Sequence, residues 1–136
     1  VYWCPTIYVN IWVAEGRAVA GNSMNKQFNE ILPVVFGKAL KAGVKIAFGT
    51  DVGGFPWTEN QAKEFTYMTQ WGMTPMQAIK SATSVGAEML DMSGKIGEVS
   101  AGAFADIIAV KDDPLKDVTA LQRVSFVMKD GKIYKQ

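Results

Sequence analysis

Residues 45–61, KIAFGTDVGGFPWTENQ, decide how the chain is to be read. The run Val44–Phe48 is short, apolar and closed by Gly43 and Gly49, the pattern of a parallel strand buried on both faces. It leads into Gly49, Thr50 and Asp51, and a turn containing Gly53 and Gly54 follows. A carboxylate is thereby presented at the rim of a sheet, where a strand end holds it in a fixed place. The two glycines keep the next stretch of backbone low enough for a substrate to approach. The local alternative for Asp51 is a turn residue whose carboxylate accepts nearby backbone N–H bonds.

Upstream, apolar residues at Phe28, Ile31, Leu32, Val35, Phe36, Ala39 and Leu40 follow the helical period and predict a helix over 24–40 with one buried stripe. Pro33 lies off that stripe and predicts a kink or a division, and Gly43 a left-handed stop. The opening residues 1–3 are β-rich and predict a strand; after Pro5, residues 6–9 read as an extended exit or a loop. Downstream, Thr58 with Gln61, and Thr74 with Pro75 and Gln77, have capping-box spacing and predict helices over 59–71 and 75–90. Residues 93–110 are punctuated by glycine and end in a strand, and 124–135 read as a hairpin about Asp130 and Gly131.

The order strand, helix, strand, two helices, then a β segment defines an α/β chain built on one βαβ unit. One such unit cannot cover both faces of its sheet, and two strands cannot close a barrel. A (β/α)₈ barrel takes about 250 residues, so a chain of 136 residues could furnish only its closing quarter. With 49% hydrophobic and 20% charged residues the composition is that of an ordinary globular chain with a single core. A net charge of +1 without a basic cluster argues against nucleic acid as a partner, and no apolar run approaches the length that crosses a bilayer. The chain opens at Val1 without an initiator methionine or a signal-peptide pattern, as if cut from something longer.

The chain has one cysteine, Cys4, and no histidine, which excludes an internal disulfide framework, a zinc site built on Cys4 and a Cys–His nucleophile pair. Cys4 reads as a small buried apolar residue. Glu59, Glu64 and Glu88 read as solvated residues on helix surfaces, and Asp106 as a turn or sheet-edge acceptor. Phe65, Tyr67, Met68 and Trp71, near helical spacing, read as packing residues. GTDVGG lacks the lysine and following helix of a phosphate loop, and no cofactor-binding motif is present.

Five segments taken in order, CPT at 4–6, KAGVKIAFGTDVG at 41–53, GMTPMQAIKSAT at 72–83, GKIGEVSAGAFADIIAVKDDPL at 94–115 and VSFVMKDGKIYK at 124–135, make the chain resemble the C-terminal end of a metal-dependent amidohydrolase. The resemblance is to the imidazolonepropionase-like and Xaa-Pro dipeptidase-like branch. It implies that residues 1–92 are the end of a (β/α)₈ TIM-barrel hydrolase domain, with 1–6 and 44–48 as its last two strands. Residues 93–136 would be the C-terminal part of a composite β-sandwich.

The resemblance further implies that Asp51 is a metal ligand and the catalytic carboxylate that handles protons, with Gly53, Trp57 and Thr6 on the substrate side. The implied cofactor is a divalent metal, zinc, whose histidine ligands lie on strands this chain does not contain, so the chain alone is expected to be inactive. The implied substrate is a small amide or dipeptide-like molecule. Many relatives carry histidine and glycine after the proline of the post-strand loop, where this sequence has Trp57 and Thr58 after Pro56. Trp57 therefore packs over a substrate side chain or simply within its loop. Thr6 is either a substrate contact or an ordinary strand-end hydroxyl. Beside the hydrolase reading stands a non-catalytic one, a truncated module that folds by self-association or by complementing an N-terminal partner.

Overall fold

The computed structural model describes the backbone of residues 1–19 and 24–136 and the side chains of 1–16 and 27–136. Strand β1 (Tyr2–Trp3) leads into helix α1 (Ile7–Val19), helix α2 (Met24–Lys41) and strand β2 (Lys45–Ile46). Helices α3 (Lys63–Gln70), α4 (Pro75–Ala82) and α5 (Ser84–Met89) follow. The chain ends in strands β3 (Ile107–Val110), β4 (Val124–Lys129) and β5 (Lys132–Lys135), with a 3₁₀ turn at Val118–Gln122 before β4.

β1 and β2 pair in parallel, Tyr2 opposite Lys45 and Trp3 opposite Ile46. The ladder runs one bond further, from Ala47 N–H to Trp3 O at 2.9 Å. The parallel pair is as expected, although two helices rather than one connect its strands, and the mixture of helix and parallel strand makes the chain α/β. Burial of β2 is narrower than its sequence suggests: Ile46 and Ala47 are buried, while Val44 and Lys45 are exposed. A two-stranded sheet leaves the far edge of each strand open.

α2 forms as predicted and Gly43 ends it at φ +74, but Pro33 does not divide it. Only part of its apolar stripe is covered. Phe36 is fully buried and Leu32 nearly so, whereas Phe28, Ile31, Val34 and Val35 are exposed. The core on this side comprises Ile7, Phe36, Ile46, Met68, Met73 and Ala78, with Phe65, Tyr67 and Trp71 packed against it as predicted.

α1 corrects the reading of residues 6–9 as an extended exit or loop. Ile7, Tyr8 and Val9 open a helix although their propensity favours strand. Its first two amides are satisfied from 57 and 56 residues away, because Ile7 N–H and Tyr8 N–H both donate to the Glu64 carboxylate at 2.7 Å. A long-range cap overrides the local preference.

α3 also departs from expectation, starting at Lys63 with no side-chain cap from Ala62 rather than at Glu59 behind Thr58. Residues 56–62 are held in turns, with Glu59 N–H on Pro56 O at 3.0 Å and Ala62 N–H on Asn60 Oδ1 at 3.0 Å. The Asn60 side chain in turn donates to Gln122 O at 2.8 Å, which ties this loop to the 3₁₀ turn.

The second capping box is formed as predicted, Thr74 accepting from Gln77 N–H and the Gln77 side chain accepting from Thr74 N–H. The helix it starts ends early, at Ala82. Thr83 leaves helical geometry (φ −122, ψ −97) with its hydroxyl on Ile79 O at 2.9 Å, and α5 begins after it. β3, β4 and β5 form one antiparallel sheet in that order, and the β4–β5 hairpin turns at Asp130 (φ 49) and Gly131 (φ 74) as expected. Asp106 is the turn acceptor predicted for it, taking Asp130 N–H at 2.7 Å and pairing with Lys129. Among the described residues no helix is long and apolar enough to cross a membrane.

Candidate active site

The parallel pair gives the molecule a C-terminal rim. Thr6 leaves β1 and Asp51 leaves β2, and both have left-handed backbone, φ 45 and φ 51. Such a conformation is uncommon for a residue with a Cβ, and more so for the β-branched Thr6. Strain of this kind collects where the surroundings over-determine the backbone. Asp51 is exposed, and its carboxylate makes no hydrogen bond to the described residues. The turn beyond it is closed by Gly54 N–H on Asp51 O and Gly53 N–H on Phe55 O, each 3.1 Å.

The two glycines of that turn answer different demands. Gly53 adopts φ +115 in open space, so backbone conformation requires it. A Cβ on Gly54 would come within 2.5 Å of Val9 Cγ2, so close approach to α1 requires it. Thr6 is half-buried on the same rim, its methyl facing Gly49, while its carbonyl accepts from the Asn10 side chain at 2.9 Å. Trp57, by contrast, is 73% exposed. The loop does not bury this side chain.

Cys4 is not the buried residue its type suggests; it is exposed at the end of β1, with its sulfur over the backbone of Gly49. Partial desolvation pushes its thiol pKa up, and the carboxylates of Glu64 and Asp51 push it further.

Glu64 is the largest correction to the sequence reading. It is fully buried, not solvated, and burial pushes its carboxyl up to about 7 against the opposing pull of the Tyr8 and Ile7 N–H groups. Next to it, Glu59 accepts from Tyr8 Oη at 2.9 Å and pairs with Lys63 at 2.5 Å, and Lys63 also reaches Tyr8 Oη at 3.0 Å. Lys63 holds the Glu59 carboxyl below its ordinary range, helped by the Tyr8 hydroxyl. Glu88 remains exposed, as expected, and pairs with Lys45.

The model of the Amidohydrolase family matches residues 34–134, most of the chain. The chain belongs to the amidohydrolase family. Ochratoxinase from Aspergillus niger is 40% identical over an alignment of 107 residues that covers 71% of this chain and 21% of the ochratoxinase. Adenine deaminase 4 from Rhizobium meliloti is 31% identical over 118 residues, 85% of this chain and 19% of the deaminase. The crystal structure of a Xaa-Pro dipeptidase with bound methionine in the active site superposes with a TM-score of 0.90 at 37% identity, covering 100% of this chain and 35% of that one. The chain thus spans about a fifth of the length of the curated relatives it matches.

Metal dependence is general in the amidohydrolase family. The described residues hold no group of three or more His, Cys, Asp or Glu able to bind an ion, and the sequence has no histidine. A catalytic zinc site usually needs three protein ligands and an open position. Among the described residues no complete metal centre is therefore assembled, and Asp51 is an exposed carboxylate on the rim. A cavity of about 620 Å³ lies between Phe65, Ile79, Leu121 and strands β3 and β4, and Asp51 does not line it. Its walls are the apolar faces of the helical layer and the sheet.

One signal for Glu64 was present in the sequence. It precedes Met68 by four residues and Trp71 by seven, which puts a charged residue on the apolar stripe of α3. Its raised pKa has a measurable consequence. Between the ordinary 4.5 and the folded value of about 7, the folded chain retains a proton that the unfolded chain has released. The contribution of Glu64 is full below the lower value and is lost as pH rises through the upper one. Urea unfolding from pH 4.5 to 7.5 should show wild type losing stability relative to Glu64→Gln across this window. A difference that stays flat or rises with pH would contradict it.

Proposed function

We propose that the chain is the C-terminal part of a metal-dependent hydrolase of C–N bonds, with a small amide or dipeptide-like substrate. Residues 1–92 are then the closing quarter of a (β/α)₈ barrel and 93–136 the C-terminal part of a composite β-sandwich. The observation that carries this reading is the exposed Asp51 carboxylate, without a hydrogen-bonding partner among the described residues, on the C-terminal rim of two parallel strands. Functional groups of such barrels gather at that rim. The names ochratoxinase, adenine deaminase and Xaa-Pro dipeptidase borne by relatives support a hydrolase acting on C–N bonds.

Asp51 would be one ligand of a divalent metal such as zinc, with the remaining ligands outside this chain; when bound, such a metal would lower the pKa of a water to about 7 and so supply a nucleophile at neutral pH. Beside it, Asp51 would be the proton carrier: its carboxylate would take the proton released by the attacking water and give it to the departing nitrogen, which would leave as a neutral amine. Thr6 and Gly53 border the substrate on the rim, and the exposed Trp57 ring offers an apolar surface for a substrate side chain.

The uncovered face of α2, with Phe28 52% and Ile31 58% exposed, supports a missing partner layer, either the upstream barrel or a second copy of the chain. The test compares the intact protein with the 136-residue chain on amide and dipeptide substrates. The intact protein should be active, lose activity to a chelator and regain it with zinc, while the chain alone should show none. Chelator-resistant activity, or activity of the chain alone, would refute the reading.

A further inference from the structure

We propose that Glu64 is a positioning residue for Asp51, acting through the first turn of α1. The proposal rests on the hydrolase reading for its catalytic consequence, but the mechanical link stands on geometry alone. Both oxygens of the buried Glu64 carboxylate are used, one on Ile7 N–H and one on Tyr8 N–H, each at 2.7 Å. These are the first two amides of α1, which have no partner within the helix. A buried carboxylate on a helix N-terminus is a rigid fastening, because moving it would strand both donors and the charge in a water-poor site.

What this fastening holds is the seat of the catalytic turn. Tyr8 packs edge-on against Phe55, with ring centroids 4.9 Å apart. Val9 lies so close to Gly54 that no Cβ fits between them. Tyr8, Val9 and Phe55 form a buried cluster of their own. Gly54 and Phe55 close the turn that Asp51 begins, through the Gly54 N–H bond to Asp51 O. The neighbour of Glu64 grips the same rim from the other side, since Phe65 stacks on Phe48 at 4.3 Å just after β2. Helix α3 thus holds both the approach to Asp51 and, through α1, the turn beyond it.

Misplacement of a catalytic group by about 1 Å can cost on the order of 10²-fold in rate. In Glu64→Gln the amide keeps one acceptor and turns a donor toward the other N–H, so one bond of the pair is lost. In the intact enzyme this variant should lower kcat by at least about tenfold, with KM changed by less than about threefold. Amide hydrogen exchange at Gly54 should be faster by at least about tenfold, while protection across β4 stays at the wild-type level.

Gly54→Ala displaces the turn with Glu64 left intact and should show the same kcat loss. Val9→Ala introduced beside it removes the clashing methyl group and should restore most of the rate. The proposal is overturned if Glu64→Gln folds with kcat and Gly54 exchange unchanged, or loses protection uniformly, which is what a purely structural role predicts. Should Glu64→Gln not fold, the Gly54 and Val9 pair decides: full activity in Gly54→Ala, or no rescue by Val9→Ala, overturns it. An intact protein without hydrolase activity in which Gly54 exchange still responds to Glu64 would sink the hydrolase reading and leave the positioning link standing.

Discussion

Replacing Asp51 by asparagine should, on the proposed hydrolase reading, lower kcat of the intact protein by about 10²- to 10⁴-fold while the fold survives, the range that a positioned acid–base group contributes. Asparagine has the shape of aspartate and tolerates the left-handed backbone that Asp51 adopts at φ 51. It cannot take up a proton at neutral pH. The side chain is exposed and without a hydrogen-bonding partner among the described residues, so its replacement leaves no buried group unsatisfied. Alanine would confuse the result, because backbone strain at φ > 0 is added to the loss of the carboxylate. Steady-state kinetics, metal content and far-UV circular dichroism on the same preparation separate chemistry from folding. A kcat within about threefold of wild type, with metal and fold retained, would remove Asp51 from the reaction centre.

The largest stability effect is expected at Phe36. Its ring is fully buried, 5.9 Å from that of Trp3 on β1 and 5.7 Å from that of Trp71 after α3. It therefore joins α2 to the parallel pair and to the helical layer at once. Truncating a buried phenylalanine to alanine costs about 3–5 kcal/mol, from lost transfer free energy and the cavity left behind. Whole domains are commonly stable by only about 5–15 kcal/mol, so Phe36→Ala should bring this chain near its unfolding threshold. A large drop in urea midpoint at unchanged m-value is the expected signature.

Ile31, on the uncovered part of the same helix, supplies the contrast. Ile31→Ala should change this chain by about 0.5 kcal/mol or less, and the intact protein by about 2–5 kcal/mol if the upstream barrel covers α2. Equal small effects in both would show that the face stays open to water.

Legibility in the sequence followed the range of the interaction. The capping box of Thr74 and Gln77, the stop at Gly43 and the turn at Asp130 and Gly131 are each decided within about four residues of chain, and each formed as the residues indicate. Helix α2 was equally legible in its period, yet the period marks which residues are apolar, not which have a neighbour. Burial thus reached Leu32 and Phe36 and missed Phe28 and Ile31. The other threonine–glutamine pair, Thr58 and Gln61, misled, because Glu59 and Asn60 found partners on Tyr8, Lys63 and Gln122 that competed with helix formation.

The sequence by itself determined that an apolar segment leads through Gly49 and Thr50 to Asp51 and a glycine-containing turn after a βα unit, since both the apolar run and the turn chemistry are written in adjacent residues. Only the tertiary structure decided how that aspartate is held. The helix at residues 7–19 runs against its local preference, and the acid that secures its first turn comes from 57 positions along the chain. A buried carboxylate is tolerated only where donors converge on it, and that convergence is a property of packed elements that no local pattern encodes.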